Sequence, residues 1–208
     1  MMQHPERLLP WVAGMMLAAS HAAADVDTRV IELEAHDVTV RISGSIADVS
    51  SLTAELVVPQ SLPKVWRVLT DYGHLNDVVP AVTVSRIVGH EAGAKLLYQE
   101  GRAGLWIFER GFSVTFRVRE TPMKSIEFEA FEGNFRRFVG SWELAPSGDG
   151  TRIRHRVEIE PDFWAPRWAL KRIAWRMMED TIRSVVDRCL ATESASGASV
   201  TDRPAATD

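Results

Sequence analysis

Two polar side chains interrupt apolar faces of predicted strands, and these two could carry chemistry. His155 has the same alternation parity as Ile153 and Val157, and Arg110 has the parity of Phe112. An inward His can form one hydrogen bond to a ligand, or act as an acid or base near neutral pH. An inward Arg must be paired because an unpaired buried charge is costly, and a ligand carbonyl, carboxylate or phosphate could pair it.

Each of these residues also has a plainer interpretation. His155 could be a core histidine whose hydrogen bonds are satisfied within the protein, and a strand kink at Gly111 could turn Arg110 outward. Both alternatives stay open at the level of the sequence.

Other catalytic patterns are absent from the sequence. It contains no G-x-S-x-G elbow, no P-loop glycine pattern and no H-E-x-x-H. The one cysteine, Cys189, has helical spacing with Val185, which indicates a small core residue. Asp71, His74 and Asp77 are residue types that can bind a metal, but they lie at predicted helix ends, where Asp is a common cap. We therefore expect no catalytic residue, no metal and no cofactor.

Apolar and aromatic side chains with inward parity are the candidates for a ligand pocket. Flexible methionine suits a surface that accepts variable apolar ligands. With Arg110 and His155, the predicted ligand-binding residues are Phe108, Phe112, Phe116, Phe128, Phe138, Trp142, Leu170, Met177 and Met178. Simple core packing is the alternative for each of them.

A run of tryptophans beside basic residues opens the last predicted helix. Aromatic rings next to cationic heads suit a membrane–water interface. The predicted membrane-contact residues are Trp164, Trp168, Lys171, Arg172 and Trp175. The alternative is that these rings pack on the first helices or at the mouth of the pocket.

Composition limits the class of protein. The chain has 208 residues, of which 46% are hydrophobic and 25% charged, enough for one sizeable domain. A formal net charge of −4 gives no electrostatic reason to expect a nucleic-acid partner. The oligomeric state is not predicted by these properties.

The first 24 residues have the pattern of a secretory signal peptide. Arg7 precedes an apolar run over residues 8–19, and small residues follow at 22–24 before Asp25. The run is short for a membrane span, although an uncleaved anchor is the alternative. We expect an exported, periplasmic protein whose signal is cleaved, with a linker over 25–36, one domain over 37–191 and a disordered tail over 192–208.

Periodicity predicts an α+β order. Strands over 38–42 and 53–58 come first, then a helix opened by Pro63 and a short helical piece over 74–79. A long amphipathic helix over 166–191 ends the domain. Between them lie the predicted strands 82–88, 94–102, 105–119, 125–130, 135–144 and 152–159. The predicted apolar stripe of the long helix consists of Leu170, Ala174, Met177, Met178, Thr181, Val185 and Cys189.

This order predicts how the layers pack. Clean alternation of apolar and polar residues, as at Val114, Phe116 and Val118, is typical of an antiparallel sheet with one dry face. The long helix offers the only apolar surface large enough to cover that face. A twisted sheet curling around a helix leaves space between them, so we predict a cavity.

The chain also resembles a known superfamily. The stretches that carry the resemblance are 58–59, 65–72, 79–80 and 85–86, followed by 133–135, 140–144, 150–152, Pro161 and Pro166. They are similar to the START-like, helix-grip (SRPBCC) superfamily, in the branch of polyketide cyclase/dehydrase and coenzyme-Q-binding proteins. The resemblance implies a curved antiparallel sheet wrapped around the C-terminal helix.

The resemblance also implies a function class. Members hold lipids, quinones, polyketides or other hydrophobic molecules in the cavity, so we expect an exported binder or carrier of a small hydrophobic ligand. The rival is an enzyme of the cyclase/dehydratase type that uses His155, with Arg110, on a bound carbonyl compound. A third interpretation is a non-binding protein with a filled core.

Overall fold

The structure is a computed structural model that describes residues 26–33, 38–46, 50–104 and 110–191. The predicted signal segment, the predicted tail and Phe108 lie outside these residues. No helix within these ranges is long and apolar enough to cross a membrane.

The described residues contain nine strands and three helical segments. The strands are β1 (Asp27–Leu33), β2 (Val38–Ile46), β3 (Ser50–Val58), β4 (Val82–Glu91), β5 (Ala94–Ala103), β6 (Arg110–Thr121), β7 (Ser125–Gly133), β8 (Phe135–Ser147) and β9 (Gly150–Pro161). The helices are α1 (Leu62–Thr70), a 3₁₀ helix (Tyr72–Asp77) and α2 (Arg167–Leu190). Pro63 lies in the first turn of α1 and Pro166 directly precedes α2, as predicted.

All nine strands form one antiparallel sheet in the order β1-β2-β3-β9-β8-β7-β6-β5-β4. The register brings Arg117 opposite Glu129 and Arg119 opposite Glu127 on the neighbouring strand. The α+β prediction of a curved sheet with a long C-terminal helix is confirmed.

Strand β1 is an element that the sequence analysis missed. The predicted linker over residues 25–36 is wrong across Asp27–Leu33, which pairs with β2 at the edge of the sheet. Only Leu33 in this strand is fully buried, so its sequence lacks the alternation of a half-buried strand. Pairing with β2, rather than its own pattern, determines its structure.

Two glycines allow the backbone to approach neighbouring groups near the cavities. A Cβ on Gly140 would collide with the Phe128 ring and the Arg156 carbonyl. A Cβ on Gly101 would collide with the Ala81 carbonyl. These positions need glycine because there is no room for a side chain.

Helix α2 has two different apolar faces. Its buried face packs with β2, β3 and α1. The residues of that face are Ala169, Trp175, Met178, Ile182, Val185, Val186 and Cys189. The predicted stripe includes Leu170, Ala174, Met177 and Thr181, which are half-buried and face open space instead.

Candidate functional site

An inner cavity of about 150 Å³ lies between α2 and the dry face of the sheet. Its walls come from β3, α1, the 3₁₀ helix, strands β5 to β9 and α2. The lining includes Leu52, Leu69, Tyr72, Leu75, Leu97, Gln99, Phe116, Val118, Ile126, Phe128, Phe138, Trp142, His155, Val157, Ile159, Ala174, Met177, Met178 and Thr181. Most of these side chains are buried, so the cavity is deep and apolar.

Three phenylalanines form one wall of the inner cavity. The Phe116 ring centroid lies 5.4 Å from that of Phe128 and 5.0 Å from that of Phe138, and both pairs are edge-to-face. Phe128 and Phe138 complete the triangle at 6.1 Å. Alternate positions on β6, β7 and β8 supply the three rings, which pack in the arrangement that aromatic pairs prefer.

His155 lies at the cavity, stacked on an indole ring. Its ring centroid is 3.7 Å from that of Trp142, with an interplanar angle of 12°. The two residues are opposite each other on β9 and β8. His155 Nδ1 lies 3.0 Å from the backbone carbonyl oxygen of Ser141. Because a carbonyl only accepts hydrogen bonds, Nδ1 carries the proton and Nε2 is left with its lone pair.

Burial keeps this imidazole neutral. Desolvation lowers the pKa of His155 to about 4, against the smaller opposing effect of the hydrogen bond to Ser141. At pH 7 the side chain is therefore an uncharged hydrogen-bond acceptor at Nε2, with His155 only 7% exposed.

Gln99 and Tyr72, two other polar residues at the inner cavity, have partners in the protein. Gln99 Nε2 lies 3.4 Å from Ser85 Oγ, which in turn donates to the Tyr72 carbonyl at 2.7 Å. The Tyr72 hydroxyl donates to Glu120 at 2.6 Å. Burial, and then this carboxylate, raise the pKa of Tyr72, so the phenol stays protonated.

An outer pocket of about 530 Å³ adjoins the inner cavity. The two share a set of lining residues, namely Val79, Gln99, Phe138, Ile159, Ala174 and Met177. The outer pocket adds Phe112, Phe135, Phe163, Leu170 and Ile173, with Arg110, Asn134 and Asp162 as polar groups. Together the two spaces make a tapering site that is polar at its outer end.

Arg110 lies at the outer pocket rather than beside His155. Its side chain is exposed, and its guanidinium carbon lies 5.0 Å from the Phe163 ring centroid. This cation–π contact replaces the buried charge pair that the inward interpretation required. Arg110 and His155 therefore belong to opposite ends of the site.

The structure brings most of the predicted ligand-binding residues together. Phe116, Phe128, Phe138, Trp142, His155, Met177 and Met178 line the inner cavity, and Arg110, Phe112, Phe138, Leu170 and Met177 line the outer pocket. Sequence reasoning missed Gln99 as a site residue, although its inward parity with Leu97 was an available signal. Ala174 belongs to the predicted stripe of the helix but was not named among the ligand-binding residues.

The predicted membrane-contact set divides into exposed and buried members. Trp164 is 83% exposed and Trp168 is 64% exposed. Trp175 is 2% exposed, so its prediction as a membrane contact is wrong. Strand β1 covers it, with the Arg29 guanidinium 4.5 Å from its ring centroid. Lys171 forms an ion pair with Asp27 of the same strand, and Arg172 is exposed.

The residues considered for metal binding are engaged with one another or with a cation. His74 Nδ1 lies 2.8 Å from Asp71 Oδ1, and Arg188 lies 3.5 Å from Asp77. No group of three or more metal-ligating side chains occurs in the part of the chain that the structure describes. Cys189 is fully buried, and desolvation raises the pKa of its thiol to about 11, so it is an inert core residue.

Curated proteins show partial similarity to the chain. It is 27% identical over 107 residues to the persistence and stress-resistance toxin PasT of Escherichia coli O6:H1. It is 26% identical over 107 residues to the ribosome association toxin RatA of Escherichia coli K12. Each match covers 50% of this chain and 64% of the relative, so the chain spans less than two thirds of their length.

Solved structures share the fold over much more of their length. A STAR-related lipid transfer protein from Xanthomonas axonopodis aligns with a TM-score of 0.59 at 13% identity, over 78% of this chain and 98% of that one. The Zhui aromatase/cyclase from Streptomyces sp. R1128 aligns with a TM-score of 0.58 at 14% identity, over 68% and 93%. The protein TTHA0849 from Thermus thermophilus aligns with a TM-score of 0.57 at 20% identity, over 69% and 99%. At these identities the likeness establishes the helix-grip fold alone.

A family match covers the elements that build the site. Residues 58–186, from the end of β3 to within α2, match the family described as polyketide cyclase / dehydrase and lipid transport. The match exceeds half of the chain and contains all the strands that carry the three phenylalanines and His155. The chain therefore belongs to the polyketide cyclase / dehydrase and lipid transport family.

Proposed function

We propose that this protein binds a small hydrophobic molecule in the joined inner cavity and outer pocket, as an exported binder or carrier. The observation that carries the proposal is the continuity of the two spaces through Ala174 and Met177. Pockets with mostly apolar walls and a few placed polar groups are the usual sites for small molecules. A lipid, a quinone or a polyketide-like compound fits this description, and the family's description supports the lipid and polyketide classes.

Export is part of the proposal and rests on the sequence. The apolar run over residues 8–19, followed by small residues, supports passage through a secretory pathway. Fractionation of cells that produce the full chain tests this point. Periplasmic protein that begins near Asp25 supports the proposal, and full-length protein in the cytoplasm contradicts it.

Native mass spectrometry of protein purified from its own compartment, followed by lipid extraction, tests the binding proposal. We expect an adduct that extracts into organic solvent. The Ala174→Leu variant should lose the adduct because the added atoms obstruct the junction between the two spaces. Ala145→Leu is the matched control, since Ala145 is exposed on β8 and outside both pockets. An adduct retained equally by both variants would contradict the proposed site.

The second candidate is a cyclase/dehydratase-type enzyme, favoured by the position of His155 at the cavity. A base with a pKa of about 4 is poorly matched to proton transfer at pH 7. Arg110, the other proposed catalytic group, lies at the far end of the site. The geometry therefore favours binding. An enzyme would lose turnover in His155→Ala while still binding substrate, whereas a binder shows no turnover in either form.

We further propose that the mouth of the site meets a membrane surface. Trp164 and Trp168 are exposed beside Phe163 and Leu170, which line the outer pocket. Exposed tryptophans at this position would bring the pocket to the acyl chains from which a lipid-like ligand leaves. Arg172 adds an exposed positive charge on the same helix.

Flotation with liposomes tests this surface. Replacing both Trp164 and Trp168 with Ser should weaken binding to anionic vesicles, and so should Lys171→Glu with Arg172→Glu. Replacing Val84 and Val88 with Ser is the control, because these exposed valines lie on the edge strand β4. Binding that falls equally in the control, or in none of the variants, would contradict membrane contact.

A further inference from the structure

The inner cavity contains no formal charge on its described lining. Its lining residues include no Asp, Glu, Lys or Arg, and its two ionisable side chains are Tyr72 and His155. Tyr72 is held protonated by burial and by Glu120. A carboxylate or phosphate placed here would lose its hydration without gaining a cation. The inner end of the ligand must therefore be neutral.

His155 offers an acceptor atom at this end. His155 Nδ1 is committed to the Ser141 carbonyl, which leaves the Nε2 lone pair for a donor. Among the described residues, Trp175 Nε1 is the side-chain nitrogen that is fully buried and has no hydrogen-bond partner. His155 Nε2 is not in that state. Since His155 lines the inner cavity, Nε2 opens into it. The matching ligand group is a hydroxyl or an N–H.

The volume of the inner cavity limits what carries that donor. About 150 Å³ is the size of an apolar cavity that holds one benzene molecule. The three phenylalanines and Trp142 offer ring faces and edges on the walls, an arrangement that favours an aromatic guest. Anything larger must continue past Ala174 and Met177 into the outer pocket.

We propose that the inner cavity binds a neutral, phenol-like ring whose hydroxyl donates to His155 Nε2. The ligand is then an aromatic alcohol with an apolar remainder in the outer pocket. This inference rests on the proposed binding function and specifies which end of the ligand enters first. Neutral His155 is essential to it, because an imidazolium has no lone pair to offer.

Titration of the full chain with phenol, toluene and benzoate tests the inference. Toluene replaces the hydroxyl with a methyl group of similar size, and benzoate adds a negative charge. We expect phenol to bind about 5- to 10-fold more tightly than toluene, the ratio that one hydrogen bond supplies. Benzoate should bind more weakly than both. The ¹⁵N resonance of His155 Nε2 should shift with phenol and not with toluene.

Two variants test whether His155 Nε2 causes the preference for phenol over toluene. His155→Phe keeps a ring on Trp142 and removes the acceptor, so phenol should bind no more tightly than toluene, because its hydroxyl would be buried without a partner. Gln99→Leu is the matched comparison, because it removes another polar side chain that lines the inner cavity. It should retain the preference for phenol. If His155→Phe does not fold, the ¹⁵N shift in the unaltered protein decides the question.

The outcomes separate this inference from the function on which it rests. Equal binding of phenol and toluene, or a preference lost in Gln99→Leu, overturns the phenol-like ligand but leaves a working apolar site. If phenol, toluene and benzoate all fail to bind, and native mass spectrometry shows no adduct, the binding function itself is overturned.

Discussion

At the scale of single residues, the site depends on a histidine that is polar but uncharged. His155 has lost most of its contact with water, stacks on Trp142 and donates to one carbonyl. The sequence alone predicted an inward polar residue here and left two interpretations open. The structure combines them, since one nitrogen is satisfied by the protein and the other faces the cavity.

Acid should destabilise the protein through His155. Its folded pKa of about 4 lies below the unfolded value of 6.5, so between these values the unfolded chain binds the extra proton. Stability should therefore fall by about 2 kcal/mol between pH 7 and pH 5 from this residue. Urea unfolding at both pH values measures it.

His155→Gln is the comparison for this pH effect, because glutamine can still donate to the Ser141 carbonyl but does not titrate. The variant should lose about 2 kcal/mol less than the unaltered protein over the same range. An identical fall in both proteins would show that other groups cause the acid sensitivity.

Gly140 should tolerate no side chain. In Gly140→Ala the added Cβ meets the Phe128 ring and the Arg156 carbonyl, and such overpacking costs about 1–3 kcal/mol. Gly73→Ala is the matched control, since a Cβ there meets nothing within 4 Å. Thermal unfolding of the two variants should differ accordingly. A similar melting temperature for both would mean that β7 and β8 separate easily around Phe128.

At the scale of elements, α2 separates structural packing from ligand contact. One face packs against the sheet, and a neighbouring face closes the cavity. Periodicity predicted the helix and its apolar character correctly, but it placed the stripe between these two faces. A helical wheel shows which residues are apolar, whereas the position of the sheet decides which of them meet protein and which meet open space.

Substitutions on the two faces of α2 should have different effects. Ile182→Ala, on the buried face, should cost about 2–5 kcal/mol of stability because it opens a void in a packed core. Met177→Ala should cost clearly less, since Met177 is half-buried and already faces both pockets. Denaturant unfolding measures the loss of stability in each variant. In a ligand titration, only Met177→Ala should bind the ligand more weakly. Equal destabilisation would mean that the cavity closes in solution.

At the scale of the whole molecule, two mistaken predictions have one cause. Strand β1 was predicted as linker and Trp175 as exposed, yet β1 covers Trp175 and its Asp27 pairs with Lys171. An edge strand gains its structure from the partner strand, so its own residues need not alternate. The tryptophan seven residues earlier, Trp168, lies on the same flank of α2 but remains exposed.

Removal of β1 should therefore destabilise the whole domain. A chain that begins at residue 37 lacks Leu33, the Arg29 contact to Trp175 and the pairing to β2. Its melting temperature should be several degrees lower than that of a chain beginning at residue 25, since a loss of about 1 kcal/mol shifts it by roughly 2–4 °C at this size. Trp175 fluorescence should also shift to the red as water reaches the ring. Unchanged melting would show that β1 is dispensable.

The sequence by itself determined the class of fold and the wall of the cavity. Alternation at Val114, Phe116 and Val118 follows from the period of a strand, and the α2 stripe follows from the period of a helix. The tertiary structure decided the rest, because it depends on contacts between distant segments. It set Arg110 apart from His155, buried Trp175 under β1 and left space beside Ala174 and Met177. Local periodicity reports which way a side chain points, but only packing decides what it meets there.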